Sequence, residues 1–287
     1  MKNQVAIGIL PFGQEITQDL SKVDLDTLEW PLGKPARLTG GKTSKMLSKD
    51  HLVVFPGSRV WSSLRGPLKA GLTLAITEPR SFHRQHMILA RLFHNRFKYI
   101  LTSDPDLLKS IPNGIEVPFG TSWVPDWQSL PLKKTRNLSL IASKKKRLKG
   151  HKLRHKCATW LKNEKIDADI MGRGYQPFDV KSDGLAPYRY SVVIENCQEQ
   201  NYFTEKLVDA FLCKTVPIYW GCPNIGDYFD TSGMIICNSI SDIQNAVQGI
   251  SDRDYNSRSS QMTTNQEKAV YYGDYYGRLA KAVLNMG

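Results

Sequence analysis

Short, uninterrupted apolar runs alternate along the chain with stretches of helical or turn character. In the first half these runs are three to six residues long and are bounded by Gly, Pro or polar clusters. Continuous rather than alternating apolar runs are typical of parallel strands that are buried on both faces. The predicted strands are Val5–Leu10, Leu52–Phe55, Leu72–Ile76 and Tyr99–Leu101.

The same alternation restarts in the second half, after a proline-containing stretch without periodicity at residues 126–136. Five apolar runs predict strands at Leu138–Ala142, Ala168–Met171, Ser191–Ile194, Val216–Trp220 and Met234–Cys237. Between and after them, the pattern predicts helices at Leu153–Leu161, Glu205–Leu212 and Leu279–Leu284. In the first half, Ser103-Asp104-Pro105-Asp106 predicts a capped helix start.

Two successive βα halves predict an α/β protein with two Rossmann-like domains facing across a cleft. The predicted domains are residues 1–125 and 137–275, joined by a linker at 126–136 and followed by a C-terminal helix at 276–287. In such folds, ligands bind beyond the carboxyl ends of the strands, so the predicted site lies between the domains.

Composition adds constraints on location and cofactors. No apolar run approaches the roughly 20 residues of a membrane span, and the N-terminus lacks the pattern of a secretory signal, which predicts a cytoplasmic protein. The five cysteines are odd in number and form no Cys-x-x-Cys pair. They indicate neither a disulfide framework nor a zinc site, and we expect reduced, mostly buried thiols.

The net charge of +12 is unevenly distributed, because eleven Lys or Arg residues and no acid lie between Lys133 and Lys156. Such a segment attracts phosphate, and its partner is a nucleic acid, an anionic membrane surface or a phosphorylated small molecule; a solvated face without a partner is the alternative. Few aromatic side chains lie nearby, with only Trp160 able to stack on bases, and no nucleic-acid motif is present.

The segment from Glu195 to Lys206 carries the most specific chemical signal. It follows an apolar strand and leads into an amphipathic helix that Thr204 is placed to cap. Lys206 falls in the first helical turn, where the helix dipole disfavours a cation. A diphosphate bound at the helix N-terminus would reverse that preference, since backbone N–H groups and the ammonium would bind it together.

This segment resembles the donor-binding motif of the α-1,3/4-fucosyltransferases, and the bacterial members are the most similar. The matching residues are Glu195-Asn196, Tyr202-Phe203-Thr204-Glu205-Lys206 and Val216-Pro217-Ile218-Tyr219-Trp220-Gly221. The resemblance covers roughly Asn137 to Cys237 and is weak in the first half of the chain. It implies the GT-B glycosyltransferase architecture, with a nucleotide-sugar-binding second domain and an acceptor-binding first domain.

The resemblance also implies roles for individual residues on the donor side. Lys206 and Arg154 would bind the diphosphate, and Glu205 would accept hydrogen bonds from ribose or sugar hydroxyls. Asn196 and Tyr202 would line the donor pocket. The resemblance implies no cofactor and no obligatory metal, and two cations with a helix N-terminus can stabilise a departing diphosphate in place of one.

On the acceptor side, the resemblance implies an inverting transfer of fucose from GDP-fucose to a hydroxyl of a glycan or lipopolysaccharide-type acceptor. An inverting transfer needs a base, and Glu78 in Glu78-Pro79 at a strand end matches the family's glutamate, although the intervening Ser of the family pattern is missing.

Three alternatives remain open. An enzyme of the same fold would use another nucleotide sugar, because none of these residues reads the sugar itself. A nucleic-acid-binding protein would use Lys133–Lys156 as its binding surface. Finally, Asp104-Pro105-Asp106 has the Asp-x-Asp form that holds a divalent metal in other glycosyltransferases, but helix capping explains it equally well.

Overall fold

A computed structural model of the chain describes residues 4–16, 18–57 and 59–286. The chain forms two compact units. The first unit comprises Met1–Phe119 and Tyr275–Gly287, and the second comprises Gly120–Asp274. Each unit contains one sheet in which all pairings are parallel, so the predicted α/β class is confirmed.

The first unit is built on a five-stranded sheet of order β1-β2-β3-β4-β5. Its strands are β1 (Ile7–Ile9), β2 (His51–Val54), β3 (Gly71–Ile76), β4 (Tyr99–Thr102) and β5 (Gly114–Glu116). Its helices are α1 (Arg80–Leu92) and α2 (Pro105–Ser110), and the last helix of the chain, α8 (Tyr275–Leu284), also belongs to this unit.

Helices cover both faces of this first sheet. Met87 of α1 and Leu107 of α2 pack in one core cluster, with Leu72 of β3. Leu279 and Val283 of α8 pack in a separate cluster, together with residues of β1 to β4. Because successive side chains of a strand point to opposite faces, burial on both sides explains the continuous apolar runs of the sequence.

The second unit contains a five-stranded sheet of order β10-β9-β8-β6-β7. Its strands are β6 (Arg136–Ile141), β7 (Asp169–Met171), β8 (Tyr188–Ile194), β9 (Val216–Trp220) and β10 (Ile235–Ile236). Its helices are α3 (Lys149–Asn163), α4 (Glu205–Leu212), α5 (Ile240–Gly249), α6 (Asp252–Ser257) and α7 (Ser259–Gly273). Helix α4 packs against α7, and α3 packs against α5.

The stretch predicted as a linker, residues 126–136, lies within the second unit, and a short 3-10 helix forms at Trp127–Ser129. The chain passes from the first unit to the second between Phe119 and Gly120, and returns at Tyr275. Helix α4 and strand β9 have the predicted bounds, and the other predicted elements differ from the observed ones by a few residues.

Several helices were not predicted, and their sequences explain why. Helix α1 follows Pro79, which provides no side-chain cap, and His83 inside it has non-helical φ and ψ angles, so the usual signal of a helix start is absent. Helix α7 is largely polar and is buried through Met262, Asn265 and Ala269. Burial of Asn265 is stabilised by hydrogen bonds with the backbone of Asp230, a partner 35 residues away.

All five cysteines are buried and free. In the described residues, no helix is both long enough and apolar enough to span a bilayer. The cytoplasmic location stays a prediction.

Candidate functional site

Glu195 directly follows strand β8 as a fully buried carboxylate, and it organises the start of helix α4. Its Oε1 accepts a hydrogen bond from the backbone N–H of Thr204 at 2.8 Å, and its Oε2 accepts one from the Thr204 hydroxyl at 2.7 Å. Thr204 is the N-cap residue, and its Oγ1 accepts a hydrogen bond from the Lys206 backbone N–H. Strand end and helix start are therefore joined by one buried side chain.

Lys206 lies above this cap and is 24% exposed. Its Nζ donates to Thr204 Oγ1 at 2.9 Å and lies 3.0 Å from Glu205 Oε1 and 3.6 Å from Glu195 Oε2. Burial opposes the charged form of Lys206, but the two carboxylates outweigh burial and raise its pKa. Although burial of Glu205 opposes its ionisation, Lys206 and Lys181 lower its pKa to about 2. Both side chains are thus held in their charged forms.

Arg154 reaches the same strand end from helix α3 and is 5% exposed. Its Nε donates to the Ile194 carbonyl at 2.9 Å, and its NH2 nitrogen donates to Asn196 Oδ1 at 2.8 Å. Burial lowers the pKa of Arg154, whereas the nearby Glu195 and Glu205 raise it. Arginine keeps its charge in any such setting, so a fixed positive charge lies beside Asn196.

Helix α3 begins very close to the loop after β8. A Cβ atom at position 150 would overlap the carbonyl oxygen of Glu195. The backbone N–H of Gly150 donates a hydrogen bond to the Asn196 carbonyl at 3.0 Å. The following residue, His151, accepts a hydrogen bond from the Leu148 backbone at its Nδ1. Burial, together with Arg154, Lys145 and Lys206, lowers the pKa of His151 to about 4, so this ring is neutral at pH 7.

The loop between β8 and α4 is fixed by Asn201, which has a positive φ of 61°. Its backbone N–H donates to Asn224 Oδ1 at 2.9 Å, and its own Oδ1 accepts hydrogen bonds from Asn224 Nδ2 at 2.6 Å and from the Tyr228 hydroxyl at 2.7 Å. Asparagine tolerates the left-handed region better than most residues. The next residue, Tyr202, is 2% exposed and interacts electrostatically with Arg154.

A second buried ion pair anchors the interior side of α4. Asp209 is fully buried, and its Oδ2 lies 2.7 Å from Lys181 Nζ. Its Oδ1 accepts hydrogen bonds from the Ser122 hydroxyl at 2.8 Å and the Trp123 backbone N–H at 3.1 Å. Lys181 also donates to the Glu205 carbonyl. The first residues of the second unit are therefore attached to the helix that carries Glu205.

The basic segment lies before and along helix α3, next to the Arg154 site. Lys149 Nζ lies 5.4 Å from the centroid of the Trp220 ring, at the end of β9. His155 Nε2 lies 3.1 Å from the Lys145 carbonyl oxygen, and its Nδ1 lies 2.7 Å from the Tyr175 hydroxyl. The histidine therefore attaches the basic loop to α3.

The structure brings together five of the six residues predicted from the sequence. Arg154, Asn196, Tyr202, Glu205 and Lys206 are joined by the contacts around Glu195. The sixth, Glu78, belongs to the first unit, where it is half-buried two residues after the end of β3.

The Asp-x-Asp alternative has a structural explanation. Asp104 caps helix α2 by accepting a hydrogen bond from the Leu107 backbone N–H, and Arg80 binds both carboxylates, with ion pairs of 2.6 Å to Asp104 and 2.7 Å to Asp106. No cluster of three His, Cys, Asp or Glu side chains suitable for a metal ion occurs in the described ranges.

Five residues have structural roles at this site that the sequence does not predict: Glu195, Gly150, Asn224, Asp209 and Lys181. Glu195 was part of the motif and could have been singled out as an acid that ends an apolar strand. The others depend on partners that are 23 to 87 residues away along the chain, and no local pattern identifies such partners.

Part of the chain matches a known protein family. Residues 131–259 match the family model described as glycosyltransferase family 10 (fucosyltransferase) C-terminal domain. An α-(1,3)-fucosyltransferase from Helicobacter pylori is 31% identical over 70 residues. That match covers 24% of this chain and 15% of the relative, so it concerns only a small part of that protein.

Solved structures match a larger share of the chain. An α1,3-fucosyltransferase crystallised with GDP has a TM-score of 0.50 and 17% identity, covering 81% of this chain and 77% of that chain. TarM from S. aureus, crystallised as a mutant with fondaparinux, α-GlcNAc-glycerol and UDP, has a TM-score of 0.53 and 11% identity, covering 83% of this chain and 55% of that chain. At these identities the matches establish the fold, which is the GT-B fold of glycosyltransferases.

The matched residues 131–259 contain Arg154, the β8–α4 loop and the start of α4. The sequence resemblance and the family model therefore coincide at one place in the molecule, and residues 131–259 of this chain are similar to the C-terminal domain of glycosyltransferase family 10, the fucosyltransferase family.

Proposed function

We propose that this protein is an inverting fucosyltransferase that transfers fucose from GDP-fucose to a hydroxyl group of a glycan acceptor. The observation that carries the proposal is the convergence of Arg154 and Lys206 on the N-terminus of α4, within the matched family domain. A helix N-terminus presents backbone N–H groups and a partial positive charge, which together favour a diphosphate.

The charges around this helix start suit a ligand that arrives with its own negative charge. In the structure, Lys206 shares its charge with Glu205 and Glu195. Lys206 retains partial exposure, so its ammonium can turn from the carboxylates toward a bound phosphate oxygen. Arg154, fixed on the Ile194 carbonyl and Asn196, would contribute a second positive charge without moving.

In this mechanism, negative charge accumulates on the GDP leaving group as the bond between fucose and phosphate breaks. Positive groups that are already oriented stabilise this charge at little reorganisation cost. Each charge-assisted hydrogen bond contributes about 1.5–3 kcal/mol. Arg154, Lys206 and the helix start would supply the stabilisation that other glycosyltransferases obtain from a divalent metal, and we propose that this transfer has no obligatory metal.

The acceptor hydroxyl must lose a proton as it attacks, and we assign Glu78 as the base. Its half-buried position at the carboxyl end of β3 is where parallel α/β sheets place their ligand-binding residues. We also propose that Glu205 accepts hydrogen bonds from ribose or sugar hydroxyls, and that Asn196 and Tyr202 line the donor pocket.

A thermal-shift screen of nucleotides tests the donor. GDP and GDP-fucose should raise the melting temperature, because a ligand that binds only the folded state stabilises it by mass action. UDP, UDP-sugars and CMP-sugars at the same concentration should have little effect. If UDP-sugars stabilise the protein and GDP-fucose does not, the donor is another nucleotide sugar bound by the same fold.

A metal chelator tests whether the transfer needs a metal, and substitution of Glu78 tests its role as the catalytic base. Activity should survive EDTA, and Glu78→Gln should lower kcat by roughly a hundredfold or more while GDP still raises the melting temperature. Complete loss of activity in EDTA would contradict a metal-independent transfer, and a fully active Glu78→Gln variant would remove Glu78 from the mechanism.

A further inference from the structure

Helix α1 has an outer face that packing within the first unit does not explain. Met87 and Ala90 are buried on its inner side. Four large apolar side chains along the helix and at its C-cap are instead exposed to water. They are Phe82 (48%), Ile88 (46%), Leu92 (69%) and Phe93 (52%). Ile88 and Leu92 are four residues apart and lie next to each other on one face of the helix.

The charges along this face have one sign. Arg84 and Arg91 are exposed and seven residues apart, so they lie along the same edge of the helix. Neither is paired with a carboxylate in the part of the chain that the structure describes. From Pro79 to Ser103 the sequence contains no Asp or Glu. The outer face of α1 therefore combines apolar side chains and arginines with the uncharged polar residues Ser81 and Gln85.

Contacts beneath the helix fix this face toward the outside. Trp61 Nε1 donates to His86 Nδ1 at 2.9 Å, and the Trp61 ring also packs edge-on against Phe97 at 5.5 Å between centroids. The inner side of α1 is thus occupied by an aromatic cluster. Because rotation of the helix would break these contacts, the apolar side chains cannot turn inward.

We propose that helix α1 is a docking surface for an anionic lipid bilayer. A bilayer presents an apolar layer beneath a plane of negative headgroups. Ile88, Leu92 and Phe93 would enter the boundary between headgroups and acyl chains, and Arg84 and Arg91 would bind lipid phosphates. Surface-lying amphipathic helices bind membranes through this combination of aromatic or aliphatic side chains with Lys and Arg.

The combination favours a bilayer over a protein partner. Arg80 at the start of α1 pairs with Asp104 and Asp106, but Arg84 and Arg91 pair with no carboxylate among the described residues, and the excess charge of this surface is therefore positive. One helix of this size gives reversible attachment, so the protein would exchange between solution and membrane. The surface lies in the first unit and does not depend on the donor chemistry of the second unit.

Labelling at one position tests insertion directly. The five native cysteines are buried, so Leu92→Cys provides one exposed thiol for an environment-sensitive dye. Val270→Cys on α7, where the native side chain is 44% exposed, is the matched control. With vesicles of phosphatidylcholine and phosphatidylglycerol, we expect a severalfold rise and a blue shift at position 92 and no change at 270. No response at 92, or equal responses at both positions, would overturn the proposal.

Vesicle flotation tests the charged and apolar components. The pairs Ile88→Ser with Leu92→Ser, and Arg84→Ser with Arg91→Ser, should each lower partitioning onto anionic vesicles by about tenfold or more. The control pair Lys145→Ser with Lys146→Ser removes two charges from the basic segment of the second unit and should change partitioning by about twofold at most.

Urea unfolding would establish that all these variants fold. If the lysine pair abolishes flotation and the helix pairs do not, the membrane surface is the basic segment and the proposal for α1 is wrong. If the wild-type protein fails to float but an acidic protein binds α1, the bilayer is likewise the wrong partner.

Discussion

The ammonium of Lys206 lies beside two carboxylates in the proposed donor site. It is held by Thr204, Glu205 and Glu195, and it remains partly exposed. The ammonium of Lys206 therefore has two roles. Without ligand it stabilises the start of α4, and with the donor present it would bind phosphate. For any variant at position 206, both the free energy of unfolding and the catalytic activity must therefore be measured.

Lys206→Ala should lower kcat/KM by roughly a hundredfold or more, as removal of an oriented charge stabiliser typically does. Steady-state kinetics with GDP-fucose measures this loss, and GDP binding should weaken in parallel. Lys152→Ala is the matched control, since Lys152 is an exposed lysine on α3 and its loss changes the net charge equally. An unchanged rate for Lys206→Ala in a folded protein would contradict the assigned role.

Gly150 limits how close helix α3 approaches the β8–α4 loop. Gly150→Ala should destabilise the protein by several kcal/mol, because the new Cβ would overlap the Glu195 carbonyl and the contact involves backbone on both sides. Gly249→Ala is the control, since nothing lies within 4 Å of a Cβ at that position. Urea unfolding compares the two variants, and similar midpoints would show that α3 can move away without cost.

At the scale of elements, the N-terminus of α4 depends on the pair Thr204 and Glu195. Thr204→Val keeps the shape but removes the hydroxyl, so Glu195 Oε2 loses a buried hydrogen bond and the helix loses its cap. We expect a loss of about 1–3 kcal/mol in the free energy of unfolding. Thr204→Ser retains the hydroxyl and should remain within about 1 kcal/mol of wild type. A larger loss in Thr204→Ser than in Thr204→Val would show that the methyl group, rather than the cap, stabilises this region.

The elements also show which parts of the fold could be predicted from the sequence. Helix α4 and strand β9 were predicted with correct bounds because cap, apolar face and flanking strand agree locally. Helix α1 was not predicted, since Pro79 before it provides no side-chain cap and His83 inside it has non-helical φ and ψ angles. The Asn201–Asn224 and Ser122–Asp209 contacts join distant segments and required the three-dimensional structure.

For the whole molecule, buried histidines make stability depend on pH. Burial is the main cause that lowers the pKa of His51, His83 and His151 to about 4. The unfolded chain binds these protons near pH 6.5, so the free energy of unfolding should fall as pH decreases from about 6.5 toward 4. His51, which is 3% exposed, should alone cost roughly 1–2 kcal/mol between pH 7.5 and 5.

His51→Phe tests this contribution, since a phenyl ring can keep the stacking on Tyr99 but cannot be protonated. Urea unfolding at pH 7.5 and pH 5 should show a smaller loss of stability in the variant than in wild type. The same loss in both proteins would mean that His51 does not contribute to the pH dependence.

Removal of residues 275–287 should affect the two units unequally. Leu279 and Val283 of α8 are fully buried, and Arg278 donates to the Pro118 carbonyl at 2.7 Å. The truncated chain should lose protection from hydrogen exchange in β1 to β4, while β6 to β9 and the stabilisation by GDP remain. Loss of GDP binding together with the first unit would show that the second unit does not fold independently.

Because the chain returns to its first unit at Tyr275, the two units would complete their folding in a defined order during synthesis. The first unit lacks the helix that covers one face of its sheet until α8 has left the exit tunnel. Gly120–Asp274 emerges earlier as one continuous stretch. The unit whose strands are synthesised before Gly120–Asp274 would therefore complete its folding after that stretch, and a nascent chain that stalls before α8 would present an uncovered sheet face to chaperones.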